Sequence, residues 1–228
     1  MLYYNVGYYN GAAFDLKVTS SALNFVADGD SSSMGYDSSV NGYAGIFGII
    51  ALYQGWKATV TFQIQDRAGN PLTLPGFYFT FVDIDSSFEA VAYAASANAR
   101  YILSSSSNLG VTTTSSGTKF TPMITGDAPN PADPAQMDTT QQKHAVTFMY
   151  RATSSFTFTL GNSEYESNSV RYYQFSGISS LVAVSPPPPP VTPLVLLSWS
   201  ESYSLSFGAS WSTASCYAFS IAQNNLGG

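Results

Sequence analysis

Apolar and polar residues alternate with a period of two along much of this chain, and that period places successive side chains on opposite faces of a β-strand. Phe14, Leu16 and Val18 alternate with Asp15, Lys17 and Thr19. Trp56, Ala58, Val60, Phe62 and Ile64 alternate with Lys57, Thr59, Thr61, Gln63 and Gln65, predicting a half-buried strand with one wet face. Val146, Phe148 and Tyr150 repeat the pattern, as do Phe156, Phe158 and Leu160 interleaved with Thr157 and Thr159. The run from Phe77 to Asp85 breaks it. It is apolar on both faces through Val82, which predicts a strand in the middle of a sheet.

Punctuation between these runs is that of an all-β chain. Asp66-Arg67-Ala68-Gly69-Asn70-Pro71 has the residue chemistry of a turn. The near-repeat Tyr3-Tyr4-Asn5-Val6-Gly7 and Tyr8-Tyr9-Asn10-Gly11 reads as an aromatic loop or edge, not a helix. Helical periodicity of useful length appears nowhere. Asp133-Pro134-Ala135-Gln136 and Asp138-Thr139-Thr140-Gln141 each place Gln three residues after an N-cap residue, enough for a single turn bridging two sheets. The expected fold is an antiparallel β-sandwich of jelly-roll or immunoglobulin-like type over residues 1–184.

A boundary follows at Ser185, where Pro186 to Pro190 favour polyproline II and form a stiff spacer over residues 185–193. In the segment 194–228, Leu197, Trp199, Tyr203, Leu205 and Phe207 share one face, with Glu201 the exception. Ser198, Ser200, Ser202, Ser204 and Ser206 take the other. This pattern specifies a strand with one buried face, and a strand needs a neighbour for its backbone groups. The neighbour is either the chain's own sheet or a sheet in another subunit, the second being β-augmentation. Head-to-tail donation does not close and yields a filament.

Composition narrows the function. Charged residues make up only 10% of the chain and hydrophobic residues 45%, with Ser, Thr, Tyr and Asn replacing the usual surface charge. Net charge is −6 and the basic residues are scattered, which argues against nucleic acid as a partner. No run reaches the length of a membrane span. Met1 is not followed by a signal-peptide pattern, so an extracellular location presumes a leader already removed. Cys216 is the lone cysteine, and it reads as a small buried apolar residue.

Asp83 and Asp85, with Glu89 beyond, are the acidic cluster best placed to reach a hard cation such as calcium, because i and i+2 share a face on a strand. Asp28-Gly29-Asp30 is a second acidic loop. Neither carries the ordered ligand series of a strong calcium motif, and capping or turn hydrogen bonds are the competing role. His144, the single histidine, precedes a strand and reads as structural. There is no nucleophile elbow, zinc-ligand pair or phosphate loop, so no enzyme is expected. The 16 Tyr residues suit sugar stacking as well as core filling.

Phe79-Thr80-Phe81-Val82-Asp83-Ile84-Asp85 and Thr125-Gly126-Asp127-Ala128-Pro129-Asn130-Pro131-Ala132-Asp133-Pro134, running on to Val146-Thr147-Phe148, resemble an extracellular β-sandwich domain of algal and protist surface proteins. Ser185-Pro186-Pro187-Pro188-Pro189-Pro190 resembles the Ser-Pro blocks of extensin-type glycoproteins, which implies hydroxylation and O-glycosylation of Pro186, Pro187, Pro188, Pro189 and Pro190. The expectation is therefore a structural subunit of an extracellular filament or surface coat, self-associating through strand donation from its C-terminal segment. The alternative is a monomeric carbohydrate-binding or adhesion module whose tail packs on its own domain.

Overall fold

The computed structural model describes residues 1–20, 42–44, 47–53, 57–86, 89–94, 98–125, 130–161, 170–177, 198–199 and 216–217. Their strands form two packed sheets, an all-β antiparallel sandwich. One sheet, here sheet A, has seven strands: β1 (Leu2–Tyr9), β2 (Ala12–Ser20), β5 (Ala58–Gln65), β12 (Ser155–Leu160), β7 (Val91–Tyr93), β10 (Gly117–Pro122) and β9 (Leu109–Thr114), in that spatial order. The first turn is Asn10-Gly11, with φ positive at both residues. This is the pairing that a two-residue hairpin loop requires.

Sheet B is built around β6 (Leu74–Val82), as its doubly apolar sequence predicts. On one side β6 pairs with β11 (Val146–Thr153), which pairs in turn with β8 (Ala99–Leu103). On the other side the upper part of β6 pairs with β13 (Val170–Ser176), followed outward by β4 (Phe47–Tyr53) and β3 (Gly42–Ala44). Two short strands of the C-terminal segment also belong to sheet B. β14 (Ser198–Trp199) pairs antiparallel with β15 (Cys216–Tyr217), and β15 lies parallel to β6 with Tyr217 beside Phe77.

The core is aromatic. Phe62 of β5 packs against Phe79 of β6 at 4.7 Å between ring centres and stacks on Phe156 of β12 at 5.2 Å. Phe79 also stacks on Phe158 and Phe175, and Phe81 meets Phe158 edge-on at 4.9 Å. These Phe side chains come from both sheets and are buried, so the sheets interdigitate through aromatic rings.

Local signals act as the sequence anticipates. Asp66 closes its turn by accepting hydrogen bonds from the backbone N–H groups of Ala68 and Asn70. Asp138 caps the short helix α1 (Thr139–Lys143) through a complete capping box with Gln141. That helix lies in the connection from β10 of sheet A to β11 of sheet B, where a bridge between sheets was expected. Asp133 forms a turn only, accepting from the Ala135 N–H.

Candidate functional site

Of the acidic cluster, Asp83 is the first residue beyond β6 and has φ of +60°. This left-handed backbone ends β6, yet Asp83, Asp85 and Glu89 remain near enough for each carboxylate to feel its neighbours' charge. Glu89 is buried and accepts hydrogen bonds at one carboxylate oxygen from the Asp85 N–H (2.9 Å) and the Ser86 N–H (3.1 Å), tying down the crossing from β6 to β7. Burial pushes Glu89 up to about 7. Burial and the neighbouring Asp85 charge push Asp83 up to about 6. Among the described residues, no group of three or more His, Cys, Asp or Glu side chains is arranged to hold a metal ion.

His144 is buried, with Nδ1 3.3 Å from the Ile84 carbonyl oxygen and Nε2 3.1 Å from the Asn108 amide nitrogen. Nδ1–H donating to Ile84 and Nε2 accepting from Asn108 satisfies both ring nitrogens. Its backbone carbonyl also accepts from the Ile84 N–H at 2.9 Å. His144 thus links three segments of the sandwich, the structural role its position before β11 implies.

The paired tyrosines of the N-terminus form an edge strand. Tyr3 points into the core, while Tyr4 and Tyr8 are exposed. A bulge lies between Tyr3 and Gly7, where Asn5 has φ of +56° and its N–H donates to the buried Asp15 carboxylate at 2.9 Å. Arg67 reaches over the same bulge to Asp15 and to the Asn5 side chain. Asp28, Asp30, Trp56, Pro186, Pro187, Pro188, Pro189, Pro190, Leu197, Tyr203, Leu205 and Phe207 lie outside the described residues. Of the proposed donor face, Trp199 falls in β14.

The sandwich opens along one side, between edge strand β8 of sheet B and edge strand β9 of sheet A. Inward-facing residues change character as the rows approach this opening. In sheet A one row runs Phe158, Tyr93, Thr118, Thr113, and the next runs Leu160, Val91, Phe120, Val111. In sheet B the row Phe79, Phe148 ends at Tyr101. Aromatic core therefore gives way to hydroxyls, with Tyr101 (38% exposed) and Val111 (40% exposed) reaching solvent.

The rings at this opening are held by the core behind them. Tyr101 meets Phe120 edge-on at 4.9 Å, and Tyr93 meets Phe148 edge-on at 5.0 Å. The Tyr93 hydroxyl is hydrogen-bonded to Thr118, whose Oγ1 is 3.2 Å from Thr113 Oγ1. Gly117 makes this close approach feasible. Its φ is +147°, and a Cβ there would fall 2.1 Å from the Tyr93 carbonyl oxygen. No sequence signal joined these residues, because they come from β7, β8, β9 and β10, in two different sheets.

No known protein family and no curated protein matches this chain. Solved structures with a related shape exist at low identity. The N-terminal domain of the Streptococcus gordonii adhesin Sgo0707 is 12% identical with a TM-score of 0.46, over 76% of this chain and 46% of that one. The adhesin domain of PrgB from Enterococcus faecalis bound to DNA is 15% identical with a TM-score of 0.43, over 74% of this chain and 63% of that one. The same PrgB domain in a second structure is 15% identical with a TM-score of 0.40, over 73% and 57%. This chain thus spans about half to two thirds of those molecules. The functional reading rests on its own residues.

Proposed function

We propose that the chain is an extracellular, non-catalytic adhesion module that works as a folded unit with its C-terminal segment added to its own sheet. The observation that carries this reading is the pairing of β15 alongside Phe77 of β6 within one chain. That pairing supports a tail whose backbone partner is its own sheet. A sparsely charged, hydroxyl- and tyrosine-rich surface supports the extracellular setting, since such a surface contacts other matter through hydrogen bonds and rings instead of long-range charge.

Strand donation into a filament is the second reading, and one feature favours it. β13 covers only the Thr80–Val82 end of its side of β6, and β15 takes a separate place at Phe77 on the strand. A tail that adds to β6 from within its own chain can exchange with the tail of a neighbour, since a domain swap uses the same contacts. In that case Leu197, Trp199, Tyr203, Leu205 and Phe207 donate to the next subunit.

Deletion of residues 185–228 separates the two. The cis reading expects a full-length chain that is monomeric by light scattering, and a truncated domain that is also monomeric but less stable. Full-length polymers that vanish on truncation would replace it with the donor reading.

A further inference from the structure

We infer that the opening between β8 and β9 is a binding site for a neutral sugar ring. The inference rests on the adhesion-module reading and supplies its ligand class. A pyranose offers a face of C–H bonds, which packs on an aromatic ring, and a rim of hydroxyls that both donate and accept. The opening offers both complements. Tyr101 presents a ring that is 38% exposed, with Val111 as its apolar neighbour. Exposed Thr113 supplies a hydroxyl that can donate and accept, held from behind by the buried Thr118, which also bonds the Tyr93 hydroxyl.

The charge pattern selects a neutral sugar over an acidic one. Among the described residues, the inward positions at the opening are Tyr93, Tyr101, Val111 and Thr113, with Thr118 and Phe120 buried behind them, and none of these is charged. Arg100 and Lys119 are next to these residues in sequence. Strand alternation sends both side chains to the outer faces, away from the opening. A carboxylated sugar would find no cation among those lining residues.

The site is also rigid before any ligand arrives. Tyr93 and Tyr101 both pack on Phe120, and Phe120 and Phe148 are fully buried. Rings already fixed by the core lose little freedom on binding, which favours weak but specific contact with a small ligand.

The test uses the full chain and a panel of cellobiose, lactose, maltotriose and mannotriose, with sialyllactose as the charged contrast. Binding is read from NMR shifts of the Tyr ring and Thr and Val methyl resonances. The expected result is that at least one neutral sugar perturbs Tyr93, Tyr101, Val111, Thr113 and Thr118, while Tyr4 and Tyr8 stay unchanged. Tyr101→Ala should weaken that binding at least about tenfold, and Tyr4→Ala should leave it intact. Because Tyr101 also contacts the core, Val111→Lys serves as a second variant that crowds the opening from an exposed position.

The proposal is overturned if no neutral sugar shifts these residues, if sialyllactose binds as well as the neutral panel, or if Val111→Lys binds unchanged. It is also overturned if the shifts follow protein concentration without sugar, which would assign the opening to a second copy of the chain. None of these results touches the cis pairing of the tail. That pairing stands or falls on the truncation.

Discussion

The two outer faces of the sandwich are made from strands of similar composition but meet opposite surroundings. On sheet A the outward positions form rows of hydroxyls across the strands: Thr19 beside Thr61 beside Thr157, and Thr59 beside Thr159. The Thr61 and Thr157 Oγ1 atoms are 3.1 Å apart, and this pair is exposed. On sheet B the corresponding threonines, Thr80 and Thr147, are fully buried, with Oγ1 atoms 2.9 Å apart. Nearby, Val82 and Phe47 join Met137 and Ala145, which belong to the connection leading into β11, in a second apolar cluster. The same side-chain pair is thus a surface feature on one face and an interior one on the other. What differs is the cover that the chain lays over sheet B.

The sharpest way to break this contrast is to place one charge on each face. Val82→Lys buries an ammonium in the second cluster, and a buried unpaired charge is among the few single changes that cost more than about 4 kcal/mol. Thr59→Lys adds a charge to an exposed position, where substitutions shift stability by about 0.5 kcal/mol or less. Urea unfolding of both variants would measure the difference. Comparable losses at the two sites would mean that sheet B is not covered as described.

A second effect lies where the chain crosses from sheet B to sheet A. Glu89 is pushed up to about 7 by burial, from an ordinary 4.5, so the folded chain holds that proton more tightly than the unfolded chain does. Its contribution to stability is therefore greatest below about pH 4.5 and declines as the pH rises through 7. The loss is up to about 3 kcal/mol at the exchange rate of 1.36 kcal/mol per pKa unit. Asp83, pushed up to about 6, acts in the same direction over a lower window. Thermal unfolding between pH 4.5 and 8 should show melting temperature falling with pH, and Glu89→Gln should flatten the slope. A slope unchanged in Glu89→Gln would assign the pH dependence to other groups.

How much of this was legible beforehand follows from the same contrast. The wet face of β5 was readable because Thr59, Thr61 and Gln63 interrupt the apolar residues at every second place. The central position of β6 was readable because two of its alternate residues, Tyr78 and Val82, are themselves large and apolar. Asp138 and Gln141 announced their helix through local backbone chemistry, which needs no distant partner. Asp83 was legible only in part: its place in a strand-like run implied a strand continuing to Asp85, but nothing local encodes the left-handed backbone that ends β6 just before it. The opening between β8 and β9 was invisible for a different reason. Tyr101 has the same phase as Ala99 and Leu103 in its strand, and only the pairing of β8 at an edge leaves it half in water.

The threonine pairs also support a finer comparison with smaller energies. On the covered face, Thr147→Val removes one hydroxyl and leaves the Thr80 hydroxyl buried without its partner, at about 1–3 kcal/mol. Thr80→Val in the same chain removes the orphaned group, so the double variant should recover most of that loss. On the wet face, Thr61→Val leaves the Thr157 hydroxyl free to bond to water, and the change should be within about 0.5 kcal/mol in the single and double variants alike. Two double-mutant cycles, measured by chemical unfolding, would give a large coupling at Thr80–Thr147 and almost none at Thr61–Thr157. Equal couplings would show that the hydroxyl contact itself sets the energy, with burial contributing nothing. The distinction between a dry and a wet face of this sandwich would then lose its energetic meaning.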